Sequence, residues 1–423
     1  MNTQAEELLN QHIKAARWKF TAMAVAYFTG VFNDNLFRQT VLLLAVTADK
    51  SYIQGYATII FTLPFIIFAA PAGWCADRFS KRRVVILVKM LELAAMICGA
   101  VAVYYSNWTI MLATLGGMGL WATIFSPALN GSIPELYPPQ YVIKANGIIK
   151  MLSTAAILAG IAAAGFVLDA VGGAGTIPVN NVMTGAILIN IALAGILVSL
   201  GVPKYPAASP KAAFPWRGPL DTLKILWNIR TDNLLAASII ANAFFWFIGS
   251  FEVLLINQFG LSELSLSPSV TSLLIVAELI GLAAGGLLVS HFAKAEKWHR
   301  IPAPAFLAMA LFLASISAAS FLPKALQPVY LISMFVAAGA AAGIFMIPLE
   351  SFIQVRPPPD RKGAIIAAAN FAAFTGILLS GPALNLLNKL AIAPSKGFAI
   401  ISVMAVVVAT WLFSALQIKK TYD

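Results

Sequence analysis

The side chains that could do chemistry in this chain are few, and the densest group lies inside an apolar run. The stretch FNDNLFR, residues 32–38, follows FTAMAVAYFTGV and precedes QTVLLLAV. It places the Asp34 carboxylate and the Arg38 guanidinium four residues apart, so on a helix both share one face and can pair. A charge in such a segment is expensive unless it meets a polar cavity or a partner. We predict that Asp34, Asn35 and Arg38 bind substrate, with a buried structural ion pair as the alternative.

The elements that carry these residues follow from composition. Of 423 residues, 60% are hydrophobic and 11% are charged, whereas soluble domains carry about 25% charged residues. This balance predicts a polytopic membrane protein. The net charge of +11 does not indicate nucleic-acid binding, because the basic residues lie in short gaps between apolar runs. Cys75 and Cys98 lie in or beside apolar runs and indicate no disulfide or metal framework, and no cleavable signal peptide is expected.

Twelve apolar segments are long enough to cross a bilayer, and helices are the economical way to do so because every backbone group must pair within its own segment. The predicted fold class is an all-α membrane protein with twelve transmembrane helices in two pseudo-symmetric six-helix bundles. The segments are about 19–46, 53–76, 84–105, 108–132, 142–169, 181–202, 234–257, 266–291, 301–322, 327–350, 363–388 and 397–418.

The placement of lysine and arginine predicts orientation. Most of these residues lie in alternate gaps, which the positive-inside rule assigns to the cytoplasm together with both termini. A basic, proline-rich stretch near the middle is typical of a cytoplasmic linker. The predicted domains are therefore an N-terminal bundle (1–202), a linker (203–232) and a C-terminal bundle (233–423). The basic residues assigned to outside loops are Lys50, Lys324, Lys389 and Lys396.

An internal repeat supports two parallel halves. The sequence FTGVF precedes the FNDN stretch, and FIGSF leads into Glu252 in the seventh segment. A proline, a helix end and a basic turn then precede Asn146 in one half and Asn370 in the other. The repeat makes Glu252, Asn146, Asn370 and the neighbouring Trp246 candidate substrate-binding residues.

The loop GWCADRFSKRR, residues 73–83, joins the second and third segments. It resembles the signature loop of the major facilitator superfamily, which implies the major facilitator fold and a conformational latch rather than a substrate contact. In that role Gly73 would allow close helix packing and Asp77 would cap or pair across the domain interface. Acidic residues that follow prolines near cytoplasmic helix ends are further candidates. The predicted gating or interdomain residues are Gly73, Asp77, Arg78, Arg82, Arg83, Glu135, Glu350 and Arg356.

Further motifs narrow the resemblance. FNDNLFR, SPALNGSIPEL with KANG, FFWFIGSF, and IPLESFIQ followed by PPPDR resemble the lysophospholipid transporter family, which includes the transporter domain fused to acyltransferase and acyl carrier protein synthetase modules. The resemblance implies a flippase that moves lysophospholipids by alternating access from the outer to the inner leaflet of a bacterial inner membrane. It also implies a functional link to a cytoplasmic acyltransferase, a monomer and no cofactor.

Two departures from the family's pattern concern charge. The family commonly has a lysine in the motif after the fourth segment, where this chain has SPALNG, and a glutamate after Asn-Gly in the fifth, where this chain has Lys150. We hypothesise that Lys150 replaces the missing lysine as a phosphate or carboxylate partner. Of the other charges inside segments, Lys89 and Glu92 are three apart and are predicted to pair with each other. For Glu278 a cavity role and a pairing between helices both stay open.

Other functions are weighed by what the sequence lacks. There is no Gly-x-x-x-x-Gly-Lys phosphate-binding loop, no catalytic triad pattern and no metal-ligand cluster, so an enzyme or an ATP-driven pump is not predicted. The alternatives are an exporter of amphipathic drugs or another small solute, and a non-transporting scaffold that docks an acyltransferase. The driving force stays open among protons, Na⁺ and downhill movement.

Overall fold

The chain is helical almost throughout. The computed structural model describes residues 3–170, 177–204, 206–207, 209–292, 295–359 and 361–417, and this part of the chain contains no β-strand. The predicted end of the last segment, at residue 418, lies outside it. The helices are α1 (Thr3–Thr47), α2 (Tyr52–Ile67), α3 (Ala69–Arg78), α4 (Lys81–Tyr104), α5 (Trp108–Asn130), α6 (Ile133–Leu136), α7 (Pro139–Asp169), α8 (Ile177–Ser199), α9 (Gly218–Ile229), α10 (Asn233–Gln258), α11 (Pro268–Phe292), α12 (Pro302–Ser317), α13 (Gln327–Val355), α14 (Lys362–Lys389) and α15 (Pro394–Gln417).

The long helices fit a membrane. Within the described residues, ten helical stretches are long and apolar enough to cross a bilayer, and the bent pair α2–α3 makes eleven if it is one span. Helix α1 is long enough but is not among them, since the polar run FNDNLFR lies near its middle. The all-helical fold is confirmed, whereas the count of twelve spans and the pseudo-symmetry stay predictions.

The predicted second segment, 53–76, is broken rather than straight. Helices α2 and α3 meet at 54° around Phe68. Pro71 has no amide hydrogen to donate to the Ile67 carbonyl, and Pro64 lies inside α2, so the hydrogen-bond ladder is weakest at this point. The bend follows directly from these two prolines.

The predicted linker, 203–232, contains a helix. The described residues of 203–217 form no helix, and α9 then occupies Gly218–Ile229. The domain boundaries at 202 and 233 stay a prediction.

The chain forms two compact units. The first takes the chain up to Val41 and again from Leu63 to Gly218. In it, α4 packs on α5 and α8, and α3 packs on α5. Its apolar core at one end is built from large side chains of α1, α4, α5 and α7, among them Phe20, Met23, Val85, Leu129 and Ile149.

The second unit takes Leu42–Thr62 and the chain from Pro219 onward. Its closest helix pair is α11 with α13. A Cβ built on Gly285 would lie 1.9 Å from the Ala340 carbonyl oxygen, and one on Gly339 would lie 1.9 Å from the Glu278 carbonyl oxygen. Gly281 and Gly343 extend this glycine seam, so the two backbones touch over two turns with no side chain between them.

Candidate functional site

The polar run of α1 is held in the first unit by its asparagines. Asn33 is fully buried, and its amide nitrogen donates to the Leu188 carbonyl of α8 at 3.0 Å. Asn35 donates to the Val31 carbonyl of its own helix at 2.8 Å. The Asn33 contact fixes the rotation of α1 against α8, which leaves the neighbouring Asp34 half-buried.

The charged neighbours of Asp34 lie on α4. Lys89 attracts the Asp34 carboxylate and Glu92 repels it. Lys89 and Glu92 form a buried salt bridge with 2.7 Å between Nζ and Oε2, which confirms the predicted pair. The three residues together make a charged cluster of two carboxylates and one ammonium, here called the α1–α4 cluster.

The Lys89 ammonium fits into a pocket shaped by glycine and an aromatic ring. A Cβ on Gly30 would lie 2.7 Å from its Nζ, so only glycine admits the ammonium without displacing it. The Phe125 ring centroid lies 5.2 Å from the same atom, a distance suited to a cation–π contact. Lys89 is 1% exposed, and its attraction to Asp34 is the part of the site that sequence reasoning missed. The available signal was that Lys89, Glu92 and Asp34 are all charges inside predicted spans.

The predicted Asp34–Arg38 ion pair stays a prediction. Both side chains are half-buried on α1, four residues apart. The Lys89 ammonium of α4, which is buried beside Gly30, also attracts the Asp34 carboxylate.

Asn146 and Lys150 lie one turn apart on α7, and both side chains are exposed. The Lys150 carbonyl accepts hydrogen bonds from Ser153 and Thr154, while its ammonium takes part in no salt bridge in the described part of the chain. Their substrate-binding role stays a prediction.

The predicted site residues of the second unit lie on two helices that pack together, α10 and α14. Trp246 is 37% exposed and packs edge-on against Phe245, with ring centroids 5.7 Å apart. Asn370 is exposed on α14. Glu252, by contrast, is fully buried and lies beside the buried Glu278 of α11.

The predicted latch loop contacts the linker inside the first unit. The Arg78 guanidinium donates to the Pro210 carbonyl at 2.6 Å, and Trp74 Nε1 donates to the Ala212 carbonyl at 2.9 Å. The Asp77 carbonyl accepts from the Ser209 amide at 2.8 Å. A Cβ on Gly73 would meet nothing within 4 Å, so Gly73 does not provide the close helix packing expected of it.

The other predicted gating residues pair within single units. Lys81 forms a salt bridge with Glu135, and Arg82 donates to the Leu200 carbonyl at 2.9 Å, all in the first unit. In the second, Arg356 pairs with Asp232 at 2.8 Å. Their gating roles stay predictions, as do those of two further residues, the exposed Arg83 and the half-buried Glu350.

No group of three or more His, Cys, Asp or Glu side chains placed to hold a metal ion occurs among the residues that the structure describes. The family model of the Major Facilitator Superfamily matches residues 20–381. The chain belongs to the major facilitator superfamily. This membership and its apolar helices make it an integral membrane transport protein.

Relatives within the superfamily agree with the predicted resemblance. The chain is 26% identical over 366 residues to the lysophospholipid transporter LplT of Serratia proteamaculans, covering 85% of each chain. It is also 26% identical over 407 residues to LplT of Salmonella arizonae, covering 94% of this chain and 96% of that one.

Solved major facilitator structures share the fold. A D-xylose–proton symporter superposes with a TM-score of 0.72 at 15% identity, covering 93% of this chain and 96% of that one. A bacterial homologue of the lysosomal transporter Spinster, inward-facing and unoccupied, gives 0.66 at 16% identity, covering 94% and 97%. At these identities the likeness concerns the fold alone.

Proposed function

We propose that this transporter moves lysophospholipids from the outer to the inner leaflet of a bacterial inner membrane by alternating access, with both termini in the cytoplasm. The observation that carries the proposal is the α1–α4 cluster, in which the half-buried Asp34 carboxylate lies beside the Lys89–Glu92 salt bridge. The relatives named lysophospholipid transporter support the substrate class.

A lysophospholipid has a charged headgroup and one acyl chain. An ethanolamine head offers an ammonium for Asp34 and a phosphate for a cation, because charge-assisted hydrogen bonds are the strong ones in a low-dielectric site. Lys89 is held by Glu92, so the more accessible Lys150 and Arg38 remain the proposed phosphate partners. Asn35 and Asn146 in the first unit, and Asn370 in the second, are proposed as further headgroup contacts.

The acyl chain needs an apolar surface rather than a polar one. In the run Phe244–Phe247, Phe245 packs inward against Phe345 with centroids 5.5 Å apart, while Trp246 is the exposed ring. We therefore propose Trp246 as the aromatic contact for the chain. Reacylation by a cytoplasmic acyltransferase would then consume the product and draw movement inward, and the transporter would work as a monomer.

The test is transbilayer movement of labelled lysophosphatidylethanolamine and lysophosphatidylglycerol in proteoliposomes. We expect fast movement by the wild type, loss with Asp34→Asn, and loss of binding with Lys150→Ala at unchanged expression. The matched control is Asp221→Asn, which alters an exposed carboxylate on α9 and should move lipid at the wild-type rate.

Each of the other outcomes of these assays would contradict part of the proposal. Movement by Asp34→Asn at the wild-type rate would make the α1–α4 cluster structural, and unaltered uptake by Lys150→Ala would reject its role as phosphate partner. Inhibition by soluble amphipathic drugs, without competition by lysophospholipids, would favour the drug exporter. No movement of any solute would favour the scaffold that docks an acyltransferase.

A further inference from the structure

Two buried carboxyls of the second unit form no salt bridge within the described part of the chain. Glu252 of α10 is fully buried, and neither of its carboxylate oxygens has a hydrogen-bond donor. Glu278 of α11 is 8% exposed and lies near enough for the two carboxylates to repel each other.

The helices around the pair bring no compensating charge to it. Helix α12 carries no charged residue, and α10 and α11 carry no lysine or arginine. On α11 and on the other helices packed with α10 (α13, α14 and α15), further charged or titratable side chains lie near helix ends. They are His291, Tyr330, Glu350, Lys362, Lys389 and Lys396, with Glu263 in the π-helical turn Phe259–Glu263 that follows α10.

The glycine seam closes the remaining side. Gly339 of α13 lies against the backbone of Glu278 so tightly that even a methyl group would overlap the carbonyl oxygen. No side chain from α13 therefore fits between the helices at this level. Two adjacent carboxylates in so apolar a place repel each other and lose their hydration, so at least one positive charge has to join them.

We propose that Glu252 and Glu278 form a binding site for one monovalent cation, a proton or Na⁺, whose occupancy is coupled to transport. The site is separate from the α1–α4 cluster, where Lys89 already supplies the positive charge. It gives Glu252 a role other than the predicted headgroup contact, because a side chain with no exposed surface offers nothing to a lipid headgroup in this structure. The coupling half of the proposal rests on the proposed transport function, whereas the binding half does not.

Cation binding is tested on the purified protein without any lipid substrate. Dicyclohexylcarbodiimide modifies protonated carboxyls in apolar surroundings, and peptide mapping by mass spectrometry locates the adduct. In choline chloride we expect modification at Glu252 or Glu278 and its loss in the double variant Glu252→Gln/Glu278→Gln. Suppression by NaCl at constant pH and ionic strength identifies Na⁺; suppression only by raising the pH identifies a proton. No adduct on either residue at any pH would overturn the proposal.

Coupling is tested in proteoliposomes with an imposed proton or Na⁺ gradient. The readout is the ratio of lysophospholipid movement with and without the gradient. Wild type should respond to the cation that the labelling identifies, and the ratio should fall to one in Glu252→Gln and in Glu278→Gln. The control is Glu263→Gln, a carboxyl of the same unit that accepts from the Ser395 amide at 2.9 Å, and it should keep the wild-type ratio.

The two proposals fail in different ways. If wild type moves no lysophospholipid but shows the expected labelling, the proposed substrate is wrong and the cation site stands. If wild type moves lipid and the Gln variants keep the wild-type ratio, the substrate stands and coupling through this pair is rejected.

Discussion

The two units differ in the charges that surround their buried carboxylates. In the first, the Glu92 carboxylate pairs with the Lys89 ammonium, which also attracts the Asp34 carboxylate. In the second, Glu252 and Glu278 lie near each other, and neither forms a salt bridge with a residue that the structure describes. The first arrangement carries its compensating charge in the chain, whereas we propose that the second takes it from solution.

The contrast also appears at one position of the predicted repeat. Gly30 in FTGVF leaves the space that the Lys89 ammonium fills, whereas a Cβ on Gly249 in FIGSF would meet nothing within 4 Å. The same local sequence therefore has a steric purpose in the first unit and none in the second.

The largest effect is expected when the first unit loses its cation. Lys89→Met keeps the length of the side chain but leaves Asp34 and Glu92 unbalanced, and removing one partner of a buried ion pair costs about 3–5 kcal/mol. We expect a loss of that order in the free energy of unfolding, measured by denaturant titration in detergent. Lys224→Met, which breaks an exposed pair of α9 with 3.8 Å between the charged atoms, should change little. A Lys89→Met protein as stable as wild type would show that Asp34 and Glu92 do not depend on the Lys89 ammonium, and the contrast between the units would be lost.

The second prediction compares one carboxyl from each cluster. Glu92→Gln removes the charge that holds Lys89 and should lower the free energy of unfolding by about 1.5–3 kcal/mol. Glu278→Gln removes a repulsion and should leave that free energy unchanged or raise it. The same titration on both variants gives the two signs. Destabilisation of equal size in both would show that Glu278 has a cation partner in the protein and would remove the contrast.

The smallest effect is expected at the paired glycines. Gly30→Ala pushes a methyl group into the Lys89 ammonium, which overpacks a buried site and should cost about 1 kcal/mol. Gly249→Ala enters open space inside a helix and should stabilise the protein by about 0.5–1 kcal/mol. Differential scanning measurements of thermal unfolding would rank the two variants against wild type. Equal shifts in the unfolding temperature of both variants would indicate that the Lys89 ammonium can leave its pocket with little loss of stability.

Sequence reasoning predicted the helical membrane fold well and the contacts of its charges unevenly. Hydropathy and the signature loop indicate the fold because a lipid-exposed backbone has few alternatives. The Lys89–Glu92 pair was predictable because i,i+3 neighbours on a helix are fixed by geometry. The meeting of Asp34 with Lys89, and of Glu252 with Glu278, depends on how α1 and α4, or α10 and α11, are rotated against each other. Nothing in the spacing along one helix fixes that rotation.

The same limit explains the broken second segment and the open space at Gly73. Pro64 and Pro71 are visible in the sequence, yet the 54° bend depends on where the hydrogen-bond ladder gives way. For Gly73, a family motif predicts a crowded backbone, while the neighbouring Trp74 and Arg78 are the residues that bind the linker here.

The glycine seam has a mechanical consequence. Because each helix fits the other's carbonyl oxygens at four points, α11 and α13 cannot slide by a residue without a backbone collision. The two helices therefore form one closely packed pair, in which the position of Glu278 along α13 is fixed. Glu252 is on α10, whose end passes into the π-helical turn Phe259–Glu263 before α11 begins. Turns of π-helix occur frequently at functional sites, and this one lies between the helix that carries Glu252 and the helix pair that carries Glu278.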